Sequence, residues 1–507
     1  MSQAYTELLE RMRQVATLNS VANLLSWDQE TMMPPKAGEF RAEALAAVGR
    51  LAHEQATDRR VGDLLSTCET DASLLAAPDI VANLSEMRRD YDRAVKLPAD
   101  LVAEMSEVSS RALEVWKAAR AASDFAMFRP WLERQVGLAR RKAACYGVPP
   151  GGEAYDALLD EYEPGTTAAA LEHVFGPLRG ELTPLLAEIA DAAAAAPCES
   201  VRALVVPLDR QRVVNAAILD RIGFDAAAGR LDVSTHPFST GIAPYDTRIT
   251  TRYKESDFAD ALNSTLHEAG HALYEQGVPA AAHWGEPLGE PLGLGVHESQ
   301  SRLWENHVGR SLAFWRFARP LARETIGPAL DPYSAEDLFR AVNVVRPGLI
   351  RVESDEATYN LHVMLRFDLE RALLRGDLAV ADLPRAWNDR IRRDLGAEVP
   401  DDARGCLQDI HWSMGAIGYF PTYTLGTLYA AQFWEAIRRA IPDLESAIEH
   451  GEFATLLGWL RDNVHAHGRR YPAHELCMRL TGAPLGHGPL LRHLRSKLGS
   501  IYGLARR

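Results

Sequence analysis

The sequence predicts a mainly α-helical fold that carries one small sheet. Apolar residues recur at intervals of three and four through most of the chain, for example over residues 157–175 and 357–376, and this spacing is typical of amphipathic helices. Residues 231–253 differ, because they are rich in Thr, Val, Ile and Tyr and are broken by Pro and Gly. That composition indicates short strands or a hairpin, so we expect a small antiparallel sheet.

Charge and composition exclude several classes of protein. The 507 residues include 55 Lys and Arg and 69 Asp and Glu, a net charge of −14, whereas nucleic-acid-binding domains usually present a basic face. No apolar run approaches the roughly 18 to 20 residues needed to span a bilayer, and the first 14 residues are polar. Five widely spaced cysteines predict free thiols. We therefore expect a cytoplasmic protein with neither nucleic acid nor membrane as a partner.

The predicted helix that follows the strand-like zone carries the clearest chemical signal, an HExxH motif from His267 to His271. Residues four apart share one face of a helix, so both imidazoles can bind one cation. Glu268 is rotated by about 100° from His267. It can therefore take a proton from a metal-activated water without being a ligand. HExxH chemistry is mostly hydrolysis of peptide bonds.

A catalytic metal needs a third protein ligand. The next predicted helix offers four candidates. Chemistry alone leaves Glu298 and Glu305 equally open, with His297 and His307 behind them. Two histidines and one glutamate suit zinc, and cobalt or manganese could support the same chemistry. We therefore expect one divalent metal ion, with zinc as the first choice.

Further polar clusters flank this region, namely His236–Phe238, Asp246–Thr250, Ile350–Asp355 and Gly405–Trp412. The third cluster is predicted to open a helix after Pro347 and Gly348. An exopeptidase needs a cation for the terminal carboxylate of its substrate, and arginine suits that task. By chemistry the candidates are Arg248, Arg302, Arg346 and Arg351, although each could equally form a structural ion pair. A phenol or imidazole beside the metal would stabilise a developing oxyanion, and the candidates are His411, Tyr419 and Tyr423.

Taken together, these motifs resemble the carboxypeptidase Taq (thermostable carboxypeptidase) family of metallocarboxypeptidases. The resemblance covers essentially the whole length, beginning with WDQETMMP at residues 27–34. The family motifs HPF, DxRxT, HExxH, HESxSR, IRxxAD and GxxQDxHW begin here at His236, Asp246, His267, His297, Ile350 and Gly405. One position departs from the pattern, since Ser354 stands where the family has Ala. The resemblance implies one catalytic domain over residues 1–507, with helices of about residues 1–90 capping a groove.

The resemblance also implies roles for individual residues. It implies His267, His271 and Glu298 as metal ligands, Glu268 as the general base and Arg351 as the clamp for the substrate's carboxylate. It implies substrate-binding roles for the HPF and DxRxT motifs, and thus for His236, Asp246 and Arg248. The implied fold is two-lobed and helical with a deep active-site groove beside the sheet, similar to neurolysin and angiotensin-converting enzyme. By analogy with those folds, Tyr423 or His411 would stabilise the oxyanion and Tyr419 would contact substrate, and the analogy does not decide which of the three meets the oxyanion.

The function that follows is a metal-dependent carboxypeptidase, expected to be a homodimer, which removes single amino acids from the C-termini of peptides. Two alternatives stand beside it. One is an endopeptidase or dipeptidyl carboxypeptidase on the same scaffold. The other is a non-catalytic helical peptide-binding protein with a structural metal. The intact HExxH glutamate argues against the second alternative, because a structural site has no need of a base.

Overall fold

A computed structural model describes residues 2–192 and 199–504, and it confirms the mainly helical fold class. The part of the chain before the sheet is helical, with α1 (Gln3–Thr31), α2 (Gly38–Ala56), α3 (Arg59–Cys68), α4 (Ala72–Leu75), α5 (Pro78–Lys96), α6 (Ala99–Ala122), α7 (Phe125–Tyr146), α8 (Ala154–Leu159), α9 (Ala168–Asp191) and α10 (Leu208–Ile222). The strands are β1 (Gly229–Val233), β2 (Ser239–Ala243) and β3 (Asp246–Thr251).

Helices also form the rest of the chain after the sheet. They are α11 (Phe258–Glu275), α12 (Leu294–Arg302), α13 (Leu312–Ile326), α14 (Ala335–Val342), α15 (Tyr359–Arg375), α16 (Leu383–Leu395), α17 (Pro421–Ala440), α18 (Leu444–Glu449), α19 (Ala454–Asn463), α20 (Ala473–Thr481) and α21 (Gly488–Tyr502). A π-helical segment, Leu303–Gly309, continues α12. Short 3₁₀ turns lie between several helices, including Arg351–Glu353 and His411–Met414.

The described chain divides into two compact units. The first unit contains residues 2–95, 199–342 and 433–484, and the second contains residues 96–192, 343–432 and 485–504. Each unit is therefore assembled from three separate stretches of chain. The predicted groove and the similarity to neurolysin and angiotensin-converting enzyme stay predictions.

Two of the predictions from composition bear on the described residues. None of the helices there combines the length and the apolar content that a membrane crossing requires. The four cysteines at positions 68, 145, 406 and 477 are free thiols, as predicted. Cys198 lies outside the described residues.

The small sheet belongs to the first unit and has the strand order β1-β3-β2. Strands β2 and β3 form the predicted antiparallel hairpin, but β1 runs parallel to β3, so the prediction of a wholly antiparallel sheet is corrected to a mixed one. The segment between β1 and β2 explains the difference. The Thr250 hydroxyl on β3 accepts a hydrogen bond from the Phe238 amide at 2.9 Å and lies 2.7 Å from the Ser234 hydroxyl. These bonds hold the crossing segment, so that β2 begins on the opposite edge of β3.

Helix α11 lies in the core of the first unit, between strand β3 and helix α12. Most of its residues are buried, including the motif residues Glu268, Ala269 and Gly270. An added Cβ at Gly270 would lie 2.5 Å from the Gln300 carbonyl oxygen and 2.6 Å from the Ser301 Cα. Because both atoms are backbone, the two helices can approach this closely only if residue 270 has no side chain.

Helix α15 is largely buried in the second unit, and it packs against α7, α8, α9 and α16. The structure corrects the predicted helix start at Ile350, because residues Arg351–Glu353 form a 3₁₀ turn and the α-helix begins at Tyr359. The reason is Asp355. Its carboxylate accepts hydrogen bonds from the amides of Arg346, Ala357 and Thr358 at 2.9 to 3.0 Å, which fixes a bend ahead of the helix.

Gly270→Ala should destabilise the first unit by about 1–3 kcal/mol, because the methyl group forces the backbones of α11 and α12 apart. Gly458→Ala is the matched control. Position 458 is also helical and an added Cβ there meets nothing within 4 Å, so this change should be neutral or stabilise by up to about 1 kcal/mol. Denaturant unfolding of both variants measures the difference, and equal effects would contradict the proposed backbone contact.

Candidate active site

Three side chains in the first unit bring potential metal-binding atoms together. His267 and His271 project from α11 and Glu298 projects from α12, with their ligand atoms all within 4.8 Å of one another. The Glu298 Oε2 atom lies 3.3 Å from His271 Nε2 and 3.7 Å from His267 Nε2. Two imidazoles and one carboxylate are the three-donor set of many catalytic zinc sites. The residues present therefore fit a divalent cation.

Glu305 fixes the orientation of His267. Its Oε2 atom lies 2.9 Å from His267 Nδ1, and Arg302 and Arg310 donate to its two oxygens at 3.1 and 3.0 Å. A carboxylate held by two guanidinium groups accepts, so the hydrogen of the imidazole is on Nδ1 and the lone pair is on Nε2. Glu305 thus lies behind a candidate ligand and not among the donor atoms.

The two remaining candidates for the third ligand also lie outside the donor group. His297 Nδ1 is 2.6 Å from His271 Nδ1, which is the imidazole nitrogen remote from Glu298. The buried ring of His307 stacks on Trp434 with a centroid separation of 5.4 Å. Within the described residues, the donor group therefore includes Glu298 and none of the other three candidates.

Burial and neighbouring charges set the protonation of this cluster. Burial raises the pKa of Glu268 to about 7, which suits a group that must both accept and donate a proton near neutral pH. Burial opposes the ionisation of Glu298, but Arg302, 2.7 Å away, acts together with His267 and His271 to lower the pKa of that carboxyl. Burial also lowers the pKa of His271 to about 3, which keeps that imidazole neutral.

The HPF and DxRxT motifs are hydrogen-bonded to each other at the sheet, through the Phe238 amide and the Thr250 hydroxyl. His236 is exposed, and its carbonyl accepts a hydrogen bond from Ser234 at 2.6 Å. Arg248 forms two parallel hydrogen bonds of 2.8 Å to Asp246. The guanidinium carbon of Arg248 also lies 4.3 Å from the ring centroid of Trp27 on α1. The tryptophan of the N-terminal motif and the DxRxT arginine are therefore in direct contact.

Arg351 belongs to a buried charge cluster in the second unit. Its Nε donates to Asp409 at 3.0 Å and one terminal nitrogen donates to the Tyr359 hydroxyl at 2.9 Å. Arg366 donates to the other oxygen of Asp409 at 2.6 Å. Two guanidinium groups share one carboxylate, so the three side chains carry a net charge of +1. Asp409 is the aspartate of the GxxQDxHW motif, so that motif and IRxxAD form one cluster.

The three candidates for oxyanion stabilisation also lie together in the second unit. His411 Nε2 is 3.2 Å from the Tyr423 hydroxyl, and the Tyr419 ring lies 5.3 Å from the His411 ring and 5.4 Å from that of Tyr423. Burial lowers the pKa of His411 to about 4, so its imidazole is neutral. The guanidinium carbon of Arg351 lies 4.8 Å from the Tyr423 ring centroid, which joins this group to the charge cluster.

Two acidic residues that the sequence analysis did not single out hold these groups in place. Glu275 lies 3.0 Å from His297 Nε2. Glu370 is buried and accepts hydrogen bonds from Tyr155, Trp412 and the Gly418 amide at 2.8, 2.8 and 3.1 Å. Glu370 therefore holds the segment that carries His411 and Tyr419. In the sequence, each glutamate looks like an ordinary polar residue of a helix. The one signal for Glu370 is that the indole N–H of the motif residue Trp412 needs an acceptor.

The other two arginine candidates differ in their surroundings. Arg302 is bound to Glu298 and Glu305, so it lies beside the candidate metal donors. Arg346 is exposed at the start of the bend before α15. The predicted site residues thus form two clusters. The first unit holds the candidate metal donors, Glu268 and the sheet motifs, and the second holds the Arg351 cluster with its histidine and tyrosines.

Comparisons with known proteins agree with these motifs. The model of the carboxypeptidase Taq (M32) metallopeptidase family matches residues 7–498. Thermostable carboxypeptidase 1 of Thermus thermophilus is 45% identical and 99% of each chain is covered, and its namesake from Pyrococcus furiosus is 36% identical with 97% of each chain covered. The crystal structure of an M32 carboxypeptidase from Deinococcus radiodurans superposes with a TM-score of 0.96, at 41% identity over 99% of this chain and 100% of that one.

Metal affinity should fall as the pH decreases, because His267 must lose a proton before it can bind a cation. Burial alone would lower the pKa of His267, but Glu298 and Glu305 outweigh it and raise the pKa. Below that pKa, one competing proton weakens binding by up to roughly tenfold per pH unit. Competition with a chelator between pH 5 and 8 measures the slope. Affinity that does not change with pH would refute the role of His267 as a ligand.

Proposed function

The chain belongs to the carboxypeptidase Taq (M32) metallopeptidase family and is a metal-dependent carboxypeptidase, and we propose that it removes single amino acids from peptide C-termini with Glu268 as general base. The observation that carries the proposal is the donor group of His267, His271 and Glu298, with the buried Glu268 beside it on α11. The relatives are carboxypeptidases by name. An endopeptidase, a dipeptidyl carboxypeptidase or a non-catalytic binding protein is therefore not favoured.

His267, His271 and Glu298 would hold the metal. Their mixture of imidazole and carboxylate donors favours zinc, and cobalt or manganese would suit the same donors. When bound, a divalent cation supplies Lewis-acid chemistry, since it polarises a carbonyl and makes water more acidic. Glu305 and Arg302 keep two of the donors oriented for it.

Glu268 moves the proton. It follows His267 directly in α11, so its side chain is rotated by about 100° from that ligand and remains free to act on water. Because burial raises its pKa to about 7, the carboxylate accepts a proton from the attacking water and can return it to the leaving amine. One residue thereby serves both halves of the hydrolysis.

Arg351 would bind the free carboxylate of the substrate. The cluster of Arg351, Arg366 and Asp409 carries one unbalanced positive charge, and an arginine fork matches a carboxylate in geometry. Tyr423, whose hydroxyl is held by the neutral His411, would donate a hydrogen bond to the developing oxyanion. Tyr419 would contact the substrate beside them.

The sheet motifs would shape the substrate site. Arg248 is engaged by Asp246 and Trp27, which supports a role in fixing the sheet against α1. His236 is exposed in the segment between β1 and β2, where it could meet a peptide. The Asn23 amide of α1 donates to the Gly241 carbonyl of β2 at 3.1 Å. This contact supports the proposal that the N-terminal helices, about residues 1–90, cap the substrate site.

Residues 1–507 would act as one catalytic domain, and the match of the family model over residues 7–498 supports this. We also propose a homodimer and a cytoplasmic location. The support for these two is the family resemblance and the free thiols at four of the five cysteines. Light scattering of the purified protein measures the oligomeric state.

The activity is tested by mass spectrometry of peptides incubated with the protein and defined metals. A carboxypeptidase produces ladders that shorten from the C-terminus by one residue at a time, and it does not act on amidated peptides. Internal cleavage of amidated peptides would instead support an endopeptidase. Loss of residues two at a time would support a dipeptidyl carboxypeptidase.

Glu268→Gln should lower kcat by at least about 100-fold and leave metal binding intact, because the amide cannot accept the proton. Peptide hydrolysis and metal content of the same preparation are the two measurements. Glu255→Gln, at an exposed position just before α11, is the control for loss of one charge and should keep full activity. Turnover near that of the unchanged protein in Glu268→Gln would exclude the proposed base.

Arg351→Ala should raise KM for peptides with a free carboxylate by about 10-fold or more, because a charge-assisted pair of hydrogen bonds is lost. Any residual cleavage of amidated peptides should not change. Arg351→Lys keeps the charge but not the fork, so it should show an intermediate KM. Arg385→Ala removes an arginine whose side chain is 75% exposed in the same unit and serves as the control. Equal losses on free and amidated peptides would refute the clamp.

A further inference from the structure

The Nδ1 atom of His271 faces the imidazole of His297 and not a carboxylate or a carbonyl. We propose that Glu275, acting through His297, is a positioning residue that fixes the metal-binding tautomer of His271. This inference rests on the ligand set of the proposed function and assigns a task to two residues outside that set. The three side chains form a line, with 2.6 Å between the Nδ1 atoms of His271 and His297 and 3.0 Å from His297 Nε2 to Glu275 Oε1.

The direction of the two hydrogen bonds along this line follows from the chemistry of Glu275 at its end. A carboxylate has no hydrogen to donate, so the His297 Nε2–H donates to Glu275. In a neutral imidazole the other nitrogen is then an acceptor, and His297 Nδ1 accepts from the His271 Nδ1–H. The lone pair of His271 is left on Nε2, which is the atom that lies 3.3 Å from Glu298. The opposite direction would place a hydrogen on His271 Nε2 and block the cation.

Packing holds the line in one arrangement. Glu275 is the last residue of α11 and lies one helical turn after His271, so both side chains project from one face. The His297 ring is flanked by His271, with a centroid distance of 4.6 Å, and by Tyr274 at 5.4 Å. The middle imidazole therefore has little freedom to turn away from its two partners.

Strand β2 lies against the carboxylate of Glu275. An added Cβ at Gly241 would lie 2.8 Å from Glu275 Oε2, so a larger residue there would displace the carboxylate. The same glycine accepts the hydrogen bond of Asn23 from α1 through its carbonyl oxygen. The sheet therefore sets the position of a carboxylate that is two hydrogen bonds away from a candidate metal ligand.

The two histidine ligands are consequently oriented in different ways. His267 meets the carboxylate of Glu305 directly, and that carboxylate is held by two arginines. His271 meets its carboxylate through a second imidazole. Within the described residues, no arginine donates a hydrogen bond to Glu275. A change at Glu275 therefore alters the tautomer of one ligand without disturbing the Glu298, Arg302 and Glu305 network.

The test uses the full chain with Glu275→Gln and Gly241→Ala as the two variants. A glutamine amide can donate to His297 Nε2, which would reverse the line and place the hydrogen on His271 Nε2. Gly241→Ala keeps every charge but displaces the Glu275 carboxylate. Asp260→Asn is the matched control, because it removes one carboxylate from an exposed position on the same helix, at the end away from Glu275.

Two readouts are needed. Competition of the protein with a chromophoric chelator for Zn²⁺ gives the affinity, and ¹⁵N NMR of the histidines in the metal-free protein gives the tautomer of His271. We expect Zn²⁺ binding to weaken by about 10- to 100-fold in both variants and by less than twofold in the control. We also expect the hydrogen on His271 Nδ1 in the unchanged protein and partly on Nε2 in Glu275→Gln.

The outcomes separate this inference from the proposed function. If His271→Ala binds Zn²⁺ as tightly as the unchanged protein, the ligand set is wrong and the inference fails with it. If His271→Ala loses Zn²⁺ while Glu275→Gln and Gly241→Ala bind it as tightly as the control, the inference alone is overturned. An unchanged His271 tautomer in Glu275→Gln would also overturn the inference. That outcome is expected if Glu275 and His297 form only a structural ion pair.

Discussion

The close approach of α11 to α12 is the constraint on which the rest of the candidate site depends. The HExxH motif supplies two imidazoles from one helix, but the carboxylate donor comes from another, and the two helices meet where Gly270 faces the backbone of Gln300 and Ser301. A methyl group at that point would separate the helices by more than the tolerance of metal–ligand distances, which is a few tenths of an ångström. The glycine is therefore as necessary to the candidate site as the three candidate ligands.

This approach also concentrates buried charge. Glu268, Glu298 and Glu305 are all buried, and burial alone would favour their neutral forms. Arg302 resolves the conflict for two of them, since it donates to both Glu298 and Glu305. Glu268 has no such partner among the hydrogen bonds of the described structure, and its pKa stays high. The pattern of arginines thereby divides similar carboxylates into anions that orient and one group that can exchange a proton.

The sequence predicted those parts of the protein that depend on local spacing. The helical period placed HExxH on a buried helix, and the motifs led to a family that the comparisons confirm. Spacing could not choose between Glu298 and Glu305, because residues seven apart lie on one face and the choice depends on where α12 meets α11. The parallel pairing of β1 depends on the Thr250 hydroxyl, and the start of α15 depends on Asp355. Both are side-chain contacts to backbone outside any regular period.

The carboxylate of Asp409, shared by two arginines, has a further consequence. A buried guanidinium without a full counter-ion is unfavourable in a medium of low polarity, so the cluster of Arg351, Arg366 and Asp409 lacks one negative charge. Any anion that reaches the cluster lowers its free energy, and by linkage such a ligand also stabilises the folded protein. The end of a peptide chain would then act as a missing structural counter-ion as well as a substrate group. Binding of the substrate carboxylate would then also make the protein around the cluster more rigid while the reacting groups are held in position.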